Sequence, residues 1–366
     1  MRVLFYTAAR AWSGSARAFA AAARGLAARG HQVTYVCPPD SPVEQHLDHT
    51  AYEVLPLPAW GPWPLAAWRL RRLLSERFVE VIFVHTEREQ LAVAVAARWA
   101  ERGAIVRRVP AESPVTLGPA ARLALRLATT GWMFVSEDDR RAAPAEPLAR
   151  LEPTVVPLGV DVAAYDRVRP ASEAAVRLNA ADKQIVCLYD STSPVRAATA
   201  LRVLGLLAPL HPELALVLVG PGSDSEDLRM HAAALGITER VRFFGERDDY
   251  LSVIRGADLG WVVSRGDGAA FGYLDLLALK VPVLAERSAL SQQYVANGIT
   301  GLLLPPEDTP ETAAAVARLL AHEDERVAMG NAGRVRVARD FTEQEMVDGF
   351  ERAGTAAGDR SLWRVT

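Results

Sequence analysis

Two carboxylates, Asp267 and Asp275, stand eight residues apart in Ser264-Arg-Gly-Asp-Gly-Ala-Ala-Phe-Gly-Tyr-Leu-Asp275, ahead of an apolar run and Val281-Pro282-Val283. A small-residue loop that opens a helix aims backbone N–H groups and a positive dipole end at whatever lies in front of it. Phosphate is the usual occupant of such a place. Carboxylates repel phosphate, so Asp267 and Asp275 must face hydroxyls or solvent. Phosphate together with hydroxyls describes a nucleotide sugar.

Positioning such groups takes strand ends and helix starts, and the chain supplies them in alternation. Strand patterns at 2–7, 32–37, 79–85, 104–109 and 132–135 are each followed by a helix-length stretch, the first over 14–29. Thr154-Val-Val-Pro-Leu-Gly-Val-Asp161 closes this unit, and a connection marked by proline and charge runs to about Ala181. The rhythm restarts with strands at 185–189, 215–219, 241–244, 259–263 and 281–284, and helical patterns from Thr309 finish the chain. Such βαβ alternation predicts parallel sheets covered on both faces. The expected fold class is therefore α/β, with two Rossmann-like doubly wound domains. Two such sheets in tandem place ligand sites at the carboxyl ends of their strands, facing one another across a cleft. The expected division is 1–165, 166–340 and a last helix over 341–366 that crosses back to the first domain.

Bulk composition narrows the function classes. At 366 residues, half of them apolar, the chain can form two ordinary domains with ample cores. No apolar run reaches the roughly 18 residues of a membrane span. Met1-Arg-Val-Leu-Phe-Tyr is too short for a signal peptide and reads as a first buried strand. Cys37 and Cys187 both lie in apolar strand contexts, which fits a reducing cytoplasm and no disulfide framework. No metal-ligand spacing of Cys and His occurs, so no metal is expected. The net charge of −3 is unevenly spread: 19 arginines against 14 carboxylates through residue 150 give +5, leaving −8 for the remainder. A basic first half points to an anionic partner there. Overall acidity and the lack of a recognisable module speak against nucleic acid.

The Ser264–Asp275 segment resembles the Ser-x-x-Glu-Gly-Phe-Gly-x4-Glu motif of retaining glycosyltransferases with the GT-B fold, family four (glycosyl transferases group 1) in particular. Register set by Ser264, Gly268 and Pro282 puts Asp267 and Asp275 on the two glutamates of this Glu-x7-Glu pattern, each one methylene short. Ala269 and Ala270 replace the usual Phe-Gly. Thr154–Val162 is similar to the family's interdomain Val-Ile-Pro-Asn-Gly-Val-Asp, with Leu158 for the asparagine. Ala27-Ala-Arg-Gly-His31-Gln-Val-Thr resembles another family run, in which His31 would be structural.

What the resemblance implies is transfer of a sugar from a UDP- or GDP-linked donor with retention, to a glycan, lipid-linked or small-molecule acceptor. Asp275 would hold ribose hydroxyls and Asp267 would contact the donor sugar. Backbone N–H groups around Phe271 and Gly272, with Arg196 or Arg265, would stabilise the departing diphosphate without a metal. Asp190 stands where the family has a diphosphate-binding arginine, so either the pairing is lost there or Asp190 points elsewhere. Gly222, Gly245 and Arg247 match loops that pack on the nucleotide. On the acceptor side, Gly14 and Ser15 belong to the loop after the first strand, which also reads as a plain βα turn. His85 ends a strand where the family often carries a histidine, and a structural strand-end histidine reads equally well. A second family histidine, at the end of the next strand, is absent; Glu112 is the side chain that could reach the cleft there.

Pro56–Leu74 combines Trp60, Trp63 and Trp68 with Arg69, Arg71 and Arg72. A basic, aromatic, amphipathic segment can lie in a bilayer interface, which would give weak peripheral contact at the inner face of the plasma membrane. The same pattern describes a core-packing helix with solvated arginines. The chemistry leaves rivals: an inactive GT-B scaffold that binds a partner, or a nucleotide-sugar 2-epimerase, which would turn over donor without acceptor. A dinucleotide-dependent oxidoreductase would need Gly-x-Gly-x-x-Gly after the first strand, and the chain has none.

Overall fold

The computed structural model describes residues 1–58, 63–148, 151–171, 183–190, 194–306, 309–361 and 363. Trp60, the far end of the connection toward Ala181, and Ser191 to Ser193 lie outside the described residues. The chain divides into two compact units, Met1–Leu158 with Glu343–Thr366, and Gly159–Thr342.

The first unit is built on a seven-stranded sheet of β1 (Arg2–Tyr6), β2 (Gln32–Cys37), β3 (Glu53–Pro56), β4 (Val81–Val84), β5 (Ala104–Arg108), β6 (Thr129–Phe134) and β7 (Thr154–Val155). Its order is β3-β2-β1-β4-β5-β6-β7, and every neighbouring pair is parallel. The order reverses between β1 and β4, so the ligand crevice of a doubly wound sheet falls at their carboxyl ends. Continuous apolar runs such as Val-Leu-Phe-Tyr and Val-Ile-Phe-Val form these strands because both faces are covered. Strand β3 had no sequence signal: Glu-Val-Leu-Pro is short, half-exposed and at the sheet edge.

The last helix, Glu343–Asp359, belongs to this unit and packs on the sheet and on the helix Gly14–Ala28. Glycines make the approach close: a Cβ on Gly25 would run into Val347, and one on Gly349 into Val156. Phe350 joins Phe83, 5.3 Å away, and Phe83 stacks on Phe5 at 5.1 Å. A polar rim backs this up. Arg24 pairs with Glu343 at 2.8 Å, Arg29 with Asp348 and Glu351, and His31 with Glu351 at 2.8 Å. The Met1 amine sits 2.9 Å from the other ring nitrogen of His31.

The helix Trp63–Arg77 packs Ala67, Leu70 and Leu74 into the core, while Trp68 stays 55% and Leu65 40% exposed. No helix among the described residues is long and apolar enough to cross a membrane. Cys37 and Cys187 are buried free thiols; burial pushes Cys37 up to about 12 and raises Cys187 as well.

The second unit carries a six-stranded parallel sheet of β8 (Lys183–Leu188), β9 (Leu214–Val219), β10 (Val241–Phe243), β11 (Leu259–Val262), β12 (Val283–Glu286) and β13 (Gly301–Leu304). The order is β10-β9-β8-β11-β12-β13, with the switch between β8 and β11. The core gathers Ile185, Leu216, Trp261, Leu284 and Val316 from strands and a covering helix. Two Rossmann-like α/β units with parallel sheets make up the fold expected from the sequence.

Candidate donor site of the second unit

The helix Gly266–Ala278 follows β11 directly. Gly266 takes φ +59, the left-handed region open to glycine, which turns the chain into the helix within three residues of Val263. From Ala269 to Ala278 every residue is buried, so this helix is part of the core and its start is fixed by packing. Its end is a Schellman turn: Val281 N–H reaches Leu276 O at 2.9 Å and Lys280 N–H reaches Leu277 O at 3.1 Å. The required left-handed residue is Lys280 instead of glycine.

This start lies further upstream than the small-residue loop suggested. The first-turn amides, which have no acceptor within a helix, are those of Gly266, Asp267 and Gly268. Ala269 N–H already bonds to Arg265 O at 3.2 Å. The amides of Ala270, Phe271 and Gly272 fall inside the helical ladder, and a Cβ on Gly272 would meet Leu188 and Val262 of the sheet. Any anion in front of this helix therefore meets the 266–268 amides, and the expectation that placed the donors at Phe271 and Gly272 is corrected.

Asp267 is 4% exposed in the first turn, and Asp275 is 1% exposed two turns on. Eight residues of helix separate them by about 12 Å along the axis, so they serve different parts of an extended ligand. Both oxygens of Asp275 accept tyrosine hydroxyls: Tyr165 donates to Oδ1 and Tyr250 to Oδ2 at 2.5 and 2.8 Å. Tyr165 lies on the 3-10 turn Val162–Arg167, which Arg255 also holds through the Tyr165 carbonyl at 2.7 Å. Arg334 bridges the same turn and the helix end, reaching Asp166 and the Ala278 carbonyl at 2.7 Å each. Neither tyrosine had a sequence signal pointing to the carboxylate.

Arg196, on the helix Pro194–Leu207, donates to Ser264 O at 3.0 Å and pairs with Glu286 at 2.9 Å. It therefore stands beside the start of Gly266–Ala278, with its charge shared with a carboxylate that ends β12. Glu286 was not anticipated; a carboxylate directly after Val-Pro-Val and Leu-Ala was the available sign. Arg265 exposes its side chain, and its backbone N–H donates to Asp190 Oδ2 at 3.3 Å. Asp190 therefore faces the helix start.

The remaining loops lie at the same strand ends. Gly222 and Gly245 adopt φ +79 and +68 after β9 and β10, and the Gly220 amide ties the two loops through Gly245 O at 2.8 Å. Arg247 stacks on Phe244 at 4.9 Å and pairs with Asp249 at 2.7 Å. The structure thus brings Asp190, Arg196, Arg265, Asp267 and Glu286 to one helix start, with Asp275 deeper along it.

The acceptor-side residues belong to the first unit. Gly14 and Ser15 open the helix Gly14–Ala28, whose N-cap Ser13 accepts the Ala16 amide at 3.3 Å. His85 is buried and stacks on Phe19 at 3.5 Å, as a packed core residue does. Glu112 sits after β5 at φ +55, a backbone region costly for residues other than glycine. The sequence reading missed Glu89. This buried carboxylate accepts the amides of Ala8 at 2.6 Å, His85 at 3.1 Å and Thr86 at 2.8 Å, and so fastens the loop after β1 to the end of β4. Its sign was the capping box Thr86-x-x-Glu89.

Residues 12–164 match the family described as Glycosyltransferase Family 4, and residues 172–336 match Glycosyl transferases group 1. The chain is 30% identical over 293 residues to the GDP-mannose-dependent alpha-(1-6)-phosphatidylinositol monomannoside mannosyltransferase of Mycobacterium tuberculosis, covering 75% of each chain. The Mycolicibacterium smegmatis protein of the same name is 29% identical, over 85% of this chain and 86% of its own. Among solved structures, Anabaena HepE in complex with UDP and glucose superposes with a TM-score of 0.79 at 16% identity, covering 96% of this chain and 98% of its own. The chain belongs to the family-four, group 1 glycosyltransferases, and its fold is GT-B.

Proposed function

We propose that the protein is a retaining glycosyltransferase that moves a sugar from a nucleoside diphosphate donor to a glycan or lipid-linked acceptor in bacterial envelope or exopolysaccharide synthesis. The observation that carries this reading is the carboxylate pair Asp267 and Asp275 on one buried helix at the switch point of a sheet that matches the group 1 family. The relatives' dependence on GDP-mannose makes mannosyl transfer from GDP-mannose the leading form of the reaction, with a lipid-linked acceptor.

The barrier in such a reaction is separation of the diphosphate from an oxocarbenium-like sugar, so stabilising the departing charge is the main task. First-turn amides of Gly266 to Gly268 and the helix dipole supply part of that stabilisation, and Arg265 supplies a cation. Asp267, at the phosphate end, would contact the donor sugar; Asp275, about 12 Å along the helix, suits the ribose hydroxyls, which would take the place of the Tyr250 or Tyr165 hydroxyl. In a front-face mechanism the leaving phosphate oxygen takes the acceptor proton, so the chain needs no cleft histidine. An aqueous location with peripheral membrane contact fits a lipid acceptor; exposed Trp68 and Leu65 beside Arg69 and Arg72 support that contact.

A second reading, a GT-B scaffold that binds without turnover, is favoured by the commitment of Arg196 to Glu286 and of Arg247 to Asp249. Calorimetry and thermal shift with GDP, UDP, GDP-mannose and UDP-glucose separate the two, followed by turnover of whichever sugar nucleotide binds. Saturable binding that Asp275→Ala abolishes, with release of nucleoside diphosphate on adding acceptor, is the expected result. Absence of binding at millimolar concentration would leave the scaffold reading.

A further inference from the structure

The carboxylate of Asp190 lies where an anionic ligand of the helix Gly266–Ala278 would lie. Its Oδ2 accepts the Arg265 amide at 3.3 Å and stands 3.5 Å from where a Cβ on Gly268 would be. The marks fall on the N-cap and the first turn, at the positive end of a helix of 13 residues. Sheet order explains how it gets there: β8 and β11 are adjacent, so the residues after β8 face the helix that follows β11. Asp190 is half-buried, and its charge adds to burial in holding the Tyr189 hydroxyl above its ordinary range.

Part of the positive charge beside it is already engaged. Arg196 is paired with Glu286, and Arg265 turns its backbone toward Asp190. Asp190, Asp267 and Glu286 thus oppose the two arginines before any ligand arrives. The Arg265 amide that Asp190 takes adjoins the 266–268 amides a diphosphate would use, and like charges this close repel.

We propose that Asp190 is a resident anion in the diphosphate position, which the donor must displace from the first turn of Gly266–Ala278 in order to bind, and that this displacement sets donor affinity. The proposal rests on the donor-site reading above. In the ligand-free protein Asp190 holds the Arg265 amide beside the helix start; in the complex the donor phosphates occupy that helix start and the carboxylate turns away.

The test is calorimetric titration of full-length wild type, Asp190→Asn and Asp275→Ala with GDP and with UDP, at low and high salt, without and then with Mg²⁺. Asparagine keeps an oxygen for the Arg265 amide and removes the charge. The expected result is about tenfold tighter nucleotide binding by Asp190→Asn, equivalent to about 1.4 kcal/mol, with the gain shrinking at high salt. Equal or weaker binding by Asp190→Asn, with wild-type binding intact and lost in Asp275→Ala, overturns the displacement and leaves the donor site standing. Tightening by Mg²⁺ in wild type alone also overturns it, because Asp190 would then be a ligand of a bridging cation. No binding of either nucleotide by any of the proteins, Asp190→Asn included, overturns the donor-site reading and this proposal with it.

Discussion

At the scale of single residues, the carboxylates divide by what they touch. Asp275 is buried with a tyrosine hydroxyl on each oxygen, whereas Asp190 answers a backbone amide at a helix start. A buried acceptor that loses a partner carries a desolvation penalty of about 1–3 kcal/mol. Tyr250→Phe should therefore lower unfolding free energy by about that amount, measured by urea denaturation of the ligand-free protein. In Asp275→Asn one oxygen becomes an NH₂ facing a hydroxyl that can reverse its role, so a smaller loss is expected. An unchanged midpoint in Tyr250→Phe would mean that the Asp275–Tyr250 bond carries no net stability.

Among the elements, the last helix depends on its polar rim as well as its glycines. Bonds from Arg29 and then His31 hold the Glu351 carboxyl below its ordinary range. A carboxyl depressed in the folded state contributes stability that is present above its unfolded value and is lost as pH falls through the folded one. Wild type should thus lose stability on acidification below about pH 4.5 more steeply than Glu351→Gln. For a pair this exposed the difference at neutral pH is about 0.2–1 kcal/mol. Denaturant midpoints at neutral and acid pH check this, and parallel curves for the two proteins would refute it. Elements also show how far patterns carry: the strands expected at 32–37 and 104–109 stand at Gln32–Cys37 and Ala104–Arg108, while β3, a half-exposed edge of four residues, and β13, Gly-Leu-Leu-Leu, had no such sign.

For the molecule as a whole, each unit has its own sheet and core, and the first is completed only by residues from the far end of the chain. Removing 343–366 would expose Phe5 and Phe83 where Phe350 covers them and would leave Gly25 and Val156 without Val347 and Gly349. A chain ending at Thr342 should lose the unfolding transition of the first unit and keep that of the second. Differential scanning calorimetry distinguishes this from retention of both transitions, which would show that the helix is dispensable. The charge asymmetry narrows on this division: Glu152, with the five carboxylates and three arginines of 343–366, brings the +5 of residues 1–150 down to +2 for the first unit, against −5 for the second.

The sequence by itself determined the α/β rhythm, the parallel sheets, the buried thiols and the carboxylate pair at its helical spacing. All of these depend on local periodicity or on residues a few positions apart, where backbone geometry alone fixes the outcome. Tertiary structure decided where the helix Gly266–Ala278 begins, because burial from Ala269 onward and a left-handed Gly266 set its start rather than the small-residue loop. It also decided the partners: Tyr165 comes to Asp275 across 110 residues, Arg196 to Glu286 across 90, and Asp190 to the Arg265 amide across 75. No local pattern records such meetings, since adjacency of β8 and β11 in the sheet creates the last of them and sequence spacing does not.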